Sequence, residues 1–230
     1  MENNIFIKND VEKIKRGDHT SFLQPNELQQ VISILNKSHI KYNIYKPFLD
    51  ATKVVVYKDK EPTISLIEII CNQELKHSDI LGTLFSHNIN PEKYGDIIVD
   101  DKYYIIVLEP LEKYLISNLD TIKKNKVRLE QRDIEIIKNY KYKYDELNIL
   151  VSSLRIDNVV SSITNCSRSQ TDIMFKNKNI LVNYNIVLKK TYNLHENDIV
   201  SIRYFGKYKY MNIIKKTKGC KYIINMLKYK

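Results

Sequence analysis

The sequence predicts an α+β protein with three parts. Residues 1–62 form a small N-terminal α/β region, and residues 63–133 a middle domain in the order βαββαβ. A connector at 134–150 leads to a domain of two helices followed by strands at 151–230. Three observations predict this. Short β-branched runs alternate with segments of helical apolar spacing through the middle of the chain. Two helical segments stand back to back after residue 150. The charge also changes there: residues 1–150 hold 22 Lys and Arg against 23 Asp and Glu, whereas residues 151–230 hold 15 against 4.

The elements follow in order. Residues 1–20 are polar and suit a short helix. Ser21 to Lys37 reads as a helix, with Pro25 near its start and Leu28, Val31, Ile32 and Leu35 on one face. Lys53 to Tyr57 is a β-branched strand, and Lys58 to Pro62 a charged turn. Ile64 to Cys71 is the next strand, and Ser78 to His87 a helix with Ile80, Leu81, Leu84 and Phe85 on one side. Asp96 to Val99 and Tyr103 to Leu108 make a hairpin about Asp100-Asp101. Pro110 opens a helix where a missing N–H costs little. Lys126 to Glu130 is the closing strand. This order is the ferredoxin-like, split βαβ arrangement, also used by RNA-recognition modules. Such modules stack bases on aromatics of the two central strands. Here the first of those strands has no aromatic, and the adjacent Tyr103 and Tyr104 point to opposite faces. Packing is the expected role of these tyrosines.

Several function classes are excluded. The glycines are Gly17, Gly82, Gly95, Gly206 and Gly219, and no two lie within ten residues of each other. A P-loop or a dinucleotide fingerprint needs them clustered. No apolar run approaches the roughly 18 residues of a membrane span. Met1 to Asp10 lacks a basic start followed by an apolar stretch, so no secretory signal is expected. Cys71, Cys166 and Cys220 are scattered and fit free thiols rather than disulfides or zinc. The net charge of +10 lies wholly in the last 80 residues. An AT-rich codon bias would act along the whole chain and would not leave the first 150 residues neutral. A compact domain with this excess is a footprint for a polyanion, and nucleic acid fits better than a membrane.

The last 80 residues carry recognisable punctuation. Ser153 to Ile163 reads as a helix closed by Asn165, a residue that tolerates the left-handed conformation. Ser167 and Gln170 form an S-x-x-Q capping box for a second helix ending near Lys176, Lys178 and Asn179. Strands follow at Ile180 to Val182 and Ile199 to Arg203, with a turn at Asn183 to Asn185. Leu154 to Arg203 resembles the S4-type RNA-binding domain. The resemblance rests on Arg155-Ile156-Asp157, Ser167-Arg168, Ile180-Leu181-Val182-Asn183 and Asn197-Asp198-Ile199-Val200-Ser201-Ile202. Usual glycines appear as Asn165, Asn179 and Asn197, each able to take a positive φ, and Tyr184 replaces another. A wider set of segments is similar to the YlmH family of bacterial S4-domain proteins. It comprises Ser152 to Arg155, Arg203 to Tyr208, Phe22 to Pro25, His77 to Gly82 and Glu92 to Ile97.

That resemblance implies an RRM-like middle domain and a C-terminal S4 domain. It also implies binding to ribosomal RNA of the large subunit, contact with tRNA, and a part in rescue of stalled ribosomes. A cytoplasmic, ribosome-associated monomer is expected, with no membrane partner, no small-molecule substrate and no cofactor. The RNA-binding candidates are Arg155, Ser167, Arg168, Ser169, Lys176, Lys178, Asn183, Lys189, Lys190, Arg203, Lys207 and Lys209. Arg168 adds a guanidinium to a helix N-terminus, a good phosphate site. Ser167 serves chiefly as a cap. Arg155 either contacts RNA or pairs with Asp157 or Asp172. Arg203, Lys207 and Lys209 flank Tyr204, Phe205, Tyr208 and Tyr210, a mixture that suits looped RNA or a hairpin with buried aromatics. His77 and Asp79 sit where a helix cap is expected, not an acid–base pair. Asp100 and Asp101 belong to a turn, and Asp96 with them does not make a metal site. No catalytic or metal site is expected. The rival readings are an RNA-modifying enzyme targeted by an S4 domain, such as a pseudouridine synthase, and a division-associated adaptor. The enzyme reading lacks a cofactor loop, and the S4 pattern already accounts for Arg155-Ile156-Asp157.

Overall fold

Helix α1 (Glu2–Lys15) presents Ile7, Val11 and Ile14 at helical spacing. In this computed structural model, which describes residues 2–230, these side chains pack on Val31 and Leu35 of α2 (Pro25–Lys37), with Leu23 and Val56 between them. Glu27 accepts a hydrogen bond from the Gln24 N–H at 2.8 Å, and Pro25 stands in the first turn of α2. A short strand β1 (Asn43–Tyr45), absent from the sequence expectation, pairs antiparallel with β2 (Val55–Tyr57). It is only three residues long and largely exposed, too short to carry an alternating apolar signal.

The middle of the chain holds β3 (Ile64–Ile70), α3 (His77–Ser86), β4 (Tyr94–Val99), β5 (Tyr103–Leu108) and α4 (Leu111–Asn118). A small hairpin of β6 (Thr121–Ile122) and β7 (Asn125–Lys126) follows, then β8 (Arg128–Arg132). The four long strands order as β4-β5-β3-β8, all neighbours antiparallel. One sheet face, with Ile67, Ile69, Ile105 and Val107, packs against Ile80 and Leu84 of α3 and Leu115 of α4. Three expectations shift. The closing strand begins at Arg128 rather than Lys126, because Thr121 to Lys126 fold back on themselves about Lys123, whose φ is 57°. Pro110 caps α4 instead of opening its first turn, and follows a cis peptide bond. The 3₁₀ turn at Ile134–Ile137 buries Ile137 instead of acting as a free connector.

Residues 1–62 are not separate from the sheet, because one seam joins them. The Phe22 N–H donates to Glu92 O at 3.0 Å. Asp96 Oδ2 accepts from the backbone N–H groups of Thr52 at 2.7 Å and Lys53 at 3.0 Å. Lys53 Nζ donates to Pro91 O at 2.6 Å and Tyr94 O at 2.8 Å, and sits 4.2 Å from the centre of the Tyr94 ring. Burial lowers the Lys53 ammonium to about 8, against the pull of Asp96, Glu27 and Glu92. Between about pH 8 and about pH 10 the unfolded chain therefore holds a proton that the folded chain releases. Stability is expected to rise with pH across that window, by up to about 1.4 kcal/mol per unit, relative to a Lys53→Met variant. Urea unfolding of both chains across the window checks this. A constant difference between them would show that the ammonium is not desolvated.

Contacts divide the chain between Lys141 and Tyr142. The second unit begins with β9 (Tyr144–Val151), then α5 (Ile156–Thr164), α6 (Arg168–Lys176), β10 (Ile180–Val182) and β11 (Asn185–Ile186). It ends with β12 (Ile199–Ile202), β13 (Gly206–Lys216) and β14 (Tyr222–Tyr229). The sheet order is β11-β10-β12-β13-β14-β9, antiparallel wherever register is defined. The expected connector at 134–150 is corrected here. All eight residues of β9 pair with β14, so this stretch is an edge strand of the C-terminal sheet. The Lys-Tyr alternation at 138–144 runs up to the first residue of this strand, and the strand itself imitates a solvated linker because only one of its faces meets the core. The core gathers Val159 and Val160 of α5, Phe175 of α6, and Ile180, Val200, Ile202, Tyr208, Tyr210, Ile224 and Met226 of the sheet.

A candidate nucleic-acid interface

The turn between α5 and α6 is built as its residues dictate. Asn165 takes φ 53° and closes α5. Ser167 Oγ accepts from the Gln170 N–H at 3.3 Å while Gln170 Oε1 accepts from the Ser167 N–H at 2.9 Å. Helix α5 starts at Ile156, three residues later than its periodicity suggests, because Arg155 is extended at its N-cap. The positive φ expected at Asn179 falls instead on Lys178, at 57°. Asn183 and Tyr184 both have positive φ, 48° and 65°, as a two-residue hairpin turn needs.

Asn183 and Asp198 form a bracket. Asn183 Nδ2 donates to Asp198 Oδ1 at 2.7 Å, and the Ile199 N–H donates to Asn183 Oδ1 at 2.9 Å. Asp198 Oδ2 accepts from the Tyr192 hydroxyl and the His195 N–H, each at 2.8 Å. Burial and Asp198 push the Tyr192 hydroxyl up to about 12. Asn183 is thus engaged in holding the β10–β12 loops together, which explains the Val-Asn and Asn-Asp pairs in the sequence.

The predicted cations fall into three groups. Arg155, Arg168 and Lys190 line one open cleft of about 360 Å³ beside Asp157, Thr171 and Asp172. Arg155 is committed to Asp157, with Nε–Oδ1 at 3.2 Å and an Nη–Oδ2 contact at 2.6 Å. Lys190 pairs with Asp172 at 2.6 Å. Arg168 is exposed, makes no ion pair among the described residues, and stands at the N-terminus of α6 with Ser167 and Ser169. Lys176 lies two turns further along α6, and Lys189 is exposed on the loop that precedes Lys190. The second group is Lys178 with Arg203. The Arg203 N–H donates to Asn179 O at 2.9 Å, and its guanidinium lies 5.1 Å from the Tyr204 ring, which is 85% exposed. The third group, Lys207 and Lys209, lies on the sheet face turned away from α5 and α6.

Of the aromatics expected beside Lys207, Tyr208 and Tyr210 are buried at 4% and 2% exposure. They alternate with Lys207 and Lys209 on the same strand, so they point into the core. The tyrosines that surround Lys207 come from elsewhere: Tyr142, Tyr184 and Tyr229. No local spacing could have joined them.

In the middle sheet Tyr103 takes the packing role expected of it. The Tyr103 hydroxyl accepts from the Leu75 N–H at 3.2 Å, and its ring packs on the core. On the opposite sheet face, Leu66, Ile98 and Ile106 are buried to 1% exposure or less, and Phe22 reaches over Gly95 towards Ile106. This face is therefore not an open platform. Asp79 accepts from the Lys76 N–H at 3.1 Å and from Lys123 Nζ at 2.6 Å, a helix cap as expected. The hydrogen bond from Lys123 holds its carboxyl below the usual range. Sequence reasoning missed the basic hairpin of this unit, where Lys124 and Lys126 are exposed and have no ion partner among the described residues. Among the described residues no group of His, Cys, Asp and Glu is placed to hold a metal, and no helix is long and apolar enough to cross a membrane.

Comparisons with known proteins bear on this arrangement. Residues 58–136 match a family model described as "Putative RNA-binding domain in YlmH". The chain is 29% identical over 155 residues to the ribosome-associated protein quality control protein P2 of Bacillus subtilis (strain 168). That match covers 67% of this chain and 60% of the relative, less than two thirds of its length. The solved structure of cell division protein ylmH from Streptococcus pneumoniae has a similar fold, with a TM-score of 0.50 and 23% identity. It covers 60% of this chain and 96% of that one. The matched domain and the curated relative agree that this chain resembles the YlmH family, and the solved structure shares its mixed helix-and-sheet fold.

Proposed function

We propose that this protein is a non-catalytic RNA-binding factor that engages ribosomal RNA of the large subunit, and tRNA with it, during rescue of stalled ribosomes. The C-terminal unit acts as an S4-type module, and the middle sheet as a ferredoxin-like domain. One observation carries the reading: the division of charge. Residues 142–230 hold 16 basic and 6 acidic side chains, while residues 1–141 hold 21 of each. An imbalance confined to one compact unit, with Arg168 unpaired at a helix N-terminus, is what a phosphate backbone selects. The relative's printed role in ribosome-associated quality control supports the choice of ribosome over free RNA. Residues 58–136, where the family's RNA-binding domain matches, hold 11 basic and 15 acidic residues. RNA contact from that domain is accordingly local, through the hairpin carrying Lys124 and Lys126.

Co-sedimentation with purified large ribosomal subunits tests this, with and without bound tRNA, for wild type and Arg168→Ala. The expected result is salt-sensitive binding that tRNA strengthens and Arg168→Ala weakens. Failure to sediment with any subunit overturns the ribosomal reading.

A further inference from the structure

The open face of the C-terminal sheet gathers the third group of cations, Lys207 and Lys209, with tyrosines that come from distant parts of the chain. Lys207 Nζ lies 4.4 Å from the ring centre of Tyr229, 5.4 Å from Tyr184 and 5.8 Å from Tyr142. It also donates to the Tyr184 hydroxyl at 3.3 Å. Tyr229 meets Tyr142 edge-on at 5.5 Å and Tyr144 at 4.9 Å. These rings come from the turn after β10, the approach to β9 and its first residue, and the end of β14. Register brings them together: Ser201 pairs with Lys207, and Tyr229 with Tyr144. None of the four tyrosines is fully buried, and neither is Lys207. Lys209 follows on the same face, one alternation along β13.

Rings assembled for packing alone belong in the core, as Tyr208 and Tyr210 do on the other face of the same strand. A cation held over partly exposed rings is instead the chemistry of single-stranded nucleic acid, where bases stack on aromatics and a positive charge tracks the backbone. The net positive charge of this unit favours RNA over an apolar or basic peptide. We propose that this face is a second RNA-contact surface. It takes unpaired nucleotides, with bases on the rings of Tyr142, Tyr144, Tyr184 and Tyr229 and phosphates on Lys207 and Lys209. The α6 face takes the phosphate backbone of a structured element. The proposal rests on the RNA-binding reading above and specifies what RNA this face recognises.

The test uses the full chain, a labelled uridine oligonucleotide and a blunt-ended RNA duplex. Replacing Tyr142 and Tyr229 together by leucine is expected to weaken oligonucleotide binding about tenfold, the loss of one to two stacked bases. Duplex binding stays unchanged. Replacing both by phenylalanine keeps the rings and leaves both affinities unchanged. An oligonucleotide carrying 5-iodouridine, photo-crosslinked to the unaltered protein, is expected to mark these tyrosines, and this readout stands even if the leucine variant misfolds. A chain that binds neither RNA sinks the RNA-binding reading itself. A chain that binds the duplex, but whose leucine variant keeps full oligonucleotide affinity or whose crosslinks fall only elsewhere, overturns the platform alone.

Discussion

RNA affinity of this protein is expected to fall by about two to three orders of magnitude between about 50 mM and 200 mM salt. Each phosphate that a cation neutralises releases condensed counterions, and the salt slope counts those contacts. Exposed candidates with no acidic partner are Arg168, Lys176, Lys178, Lys189 and Arg203. About five contacts at a slope near 0.9 each, over a fourfold change in salt, give that range. Arg168→Ala should lower the slope by about one unit and weaken binding to different RNA sequences alike. Arg155→Ala and Lys190→Ala should change it less. Those cations already face Asp157 and Asp172, and a phosphate gains only what each exposed pair gives up. Filter binding or fluorescence anisotropy with a structured ribosomal RNA fragment across a salt series measures all four slopes. A fall of less than tenfold would sink the electrostatic mechanism, because five released contacts cannot produce so shallow a dependence.

The legibility of this chain follows from the range of its interactions. Helices α2 and α3 were readable because Val31 and Leu35, and Ile80 and Leu84, recur at four-residue spacing within one element. The Ser167 box and the Asn165 cap were readable because both ends of each interaction lie within four residues. Strand β9 was not, since its partner β14 lies more than 70 residues away and its exposed face carries charge. Arg155 showed the same limit in reverse: three partners were open, and its fork met the nearest, Asp157. The tyrosine cluster around Lys207 draws on residues 142, 184, 207 and 229, so only sheet register could assemble it. Reading Lys207 by its neighbours in sequence chose Tyr208 and Tyr210, which the pleat sends to the opposite face.

Gly95→Val is expected to destabilise the first unit strongly, by about 3 kcal/mol, the upper range for an overpacked core. Gly95 does not take a positive φ, so the cost is one of space. A Cβ there would stand 2.9 Å from Phe22 Cε1, 3.2 Å from Phe22 Cζ and 3.2 Å from Ile106 Cβ. Both neighbours are fully enclosed, Phe22 at 1% exposure and Ile106 at 0%. The strand preference of valine, worth up to about 1 kcal/mol, pulls the other way and is outweighed. Gly95 also lies in the register shift between Tyr94 and Ile97, which precedes the Asp96 carboxylate that holds the Thr52 and Lys53 amides. Displacing Phe22 therefore strains the whole seam between the N-terminal helices and the sheet. This gives a physical reason for the Phe22 to Pro25 and Glu92 to Ile97 segments: the bare Cα of one seats the ring of the other. Urea unfolding of Gly95→Val, Phe22→Leu and the double variant separates the terms. Trimming Phe22 alone should destabilise through a cavity, and in the double variant the two costs should partly cancel, with a coupling of about 1 kcal/mol or more. Strict additivity would show that the ring and the strand do not compete for this space, and that the seam is held by Asp96 and Lys53 alone.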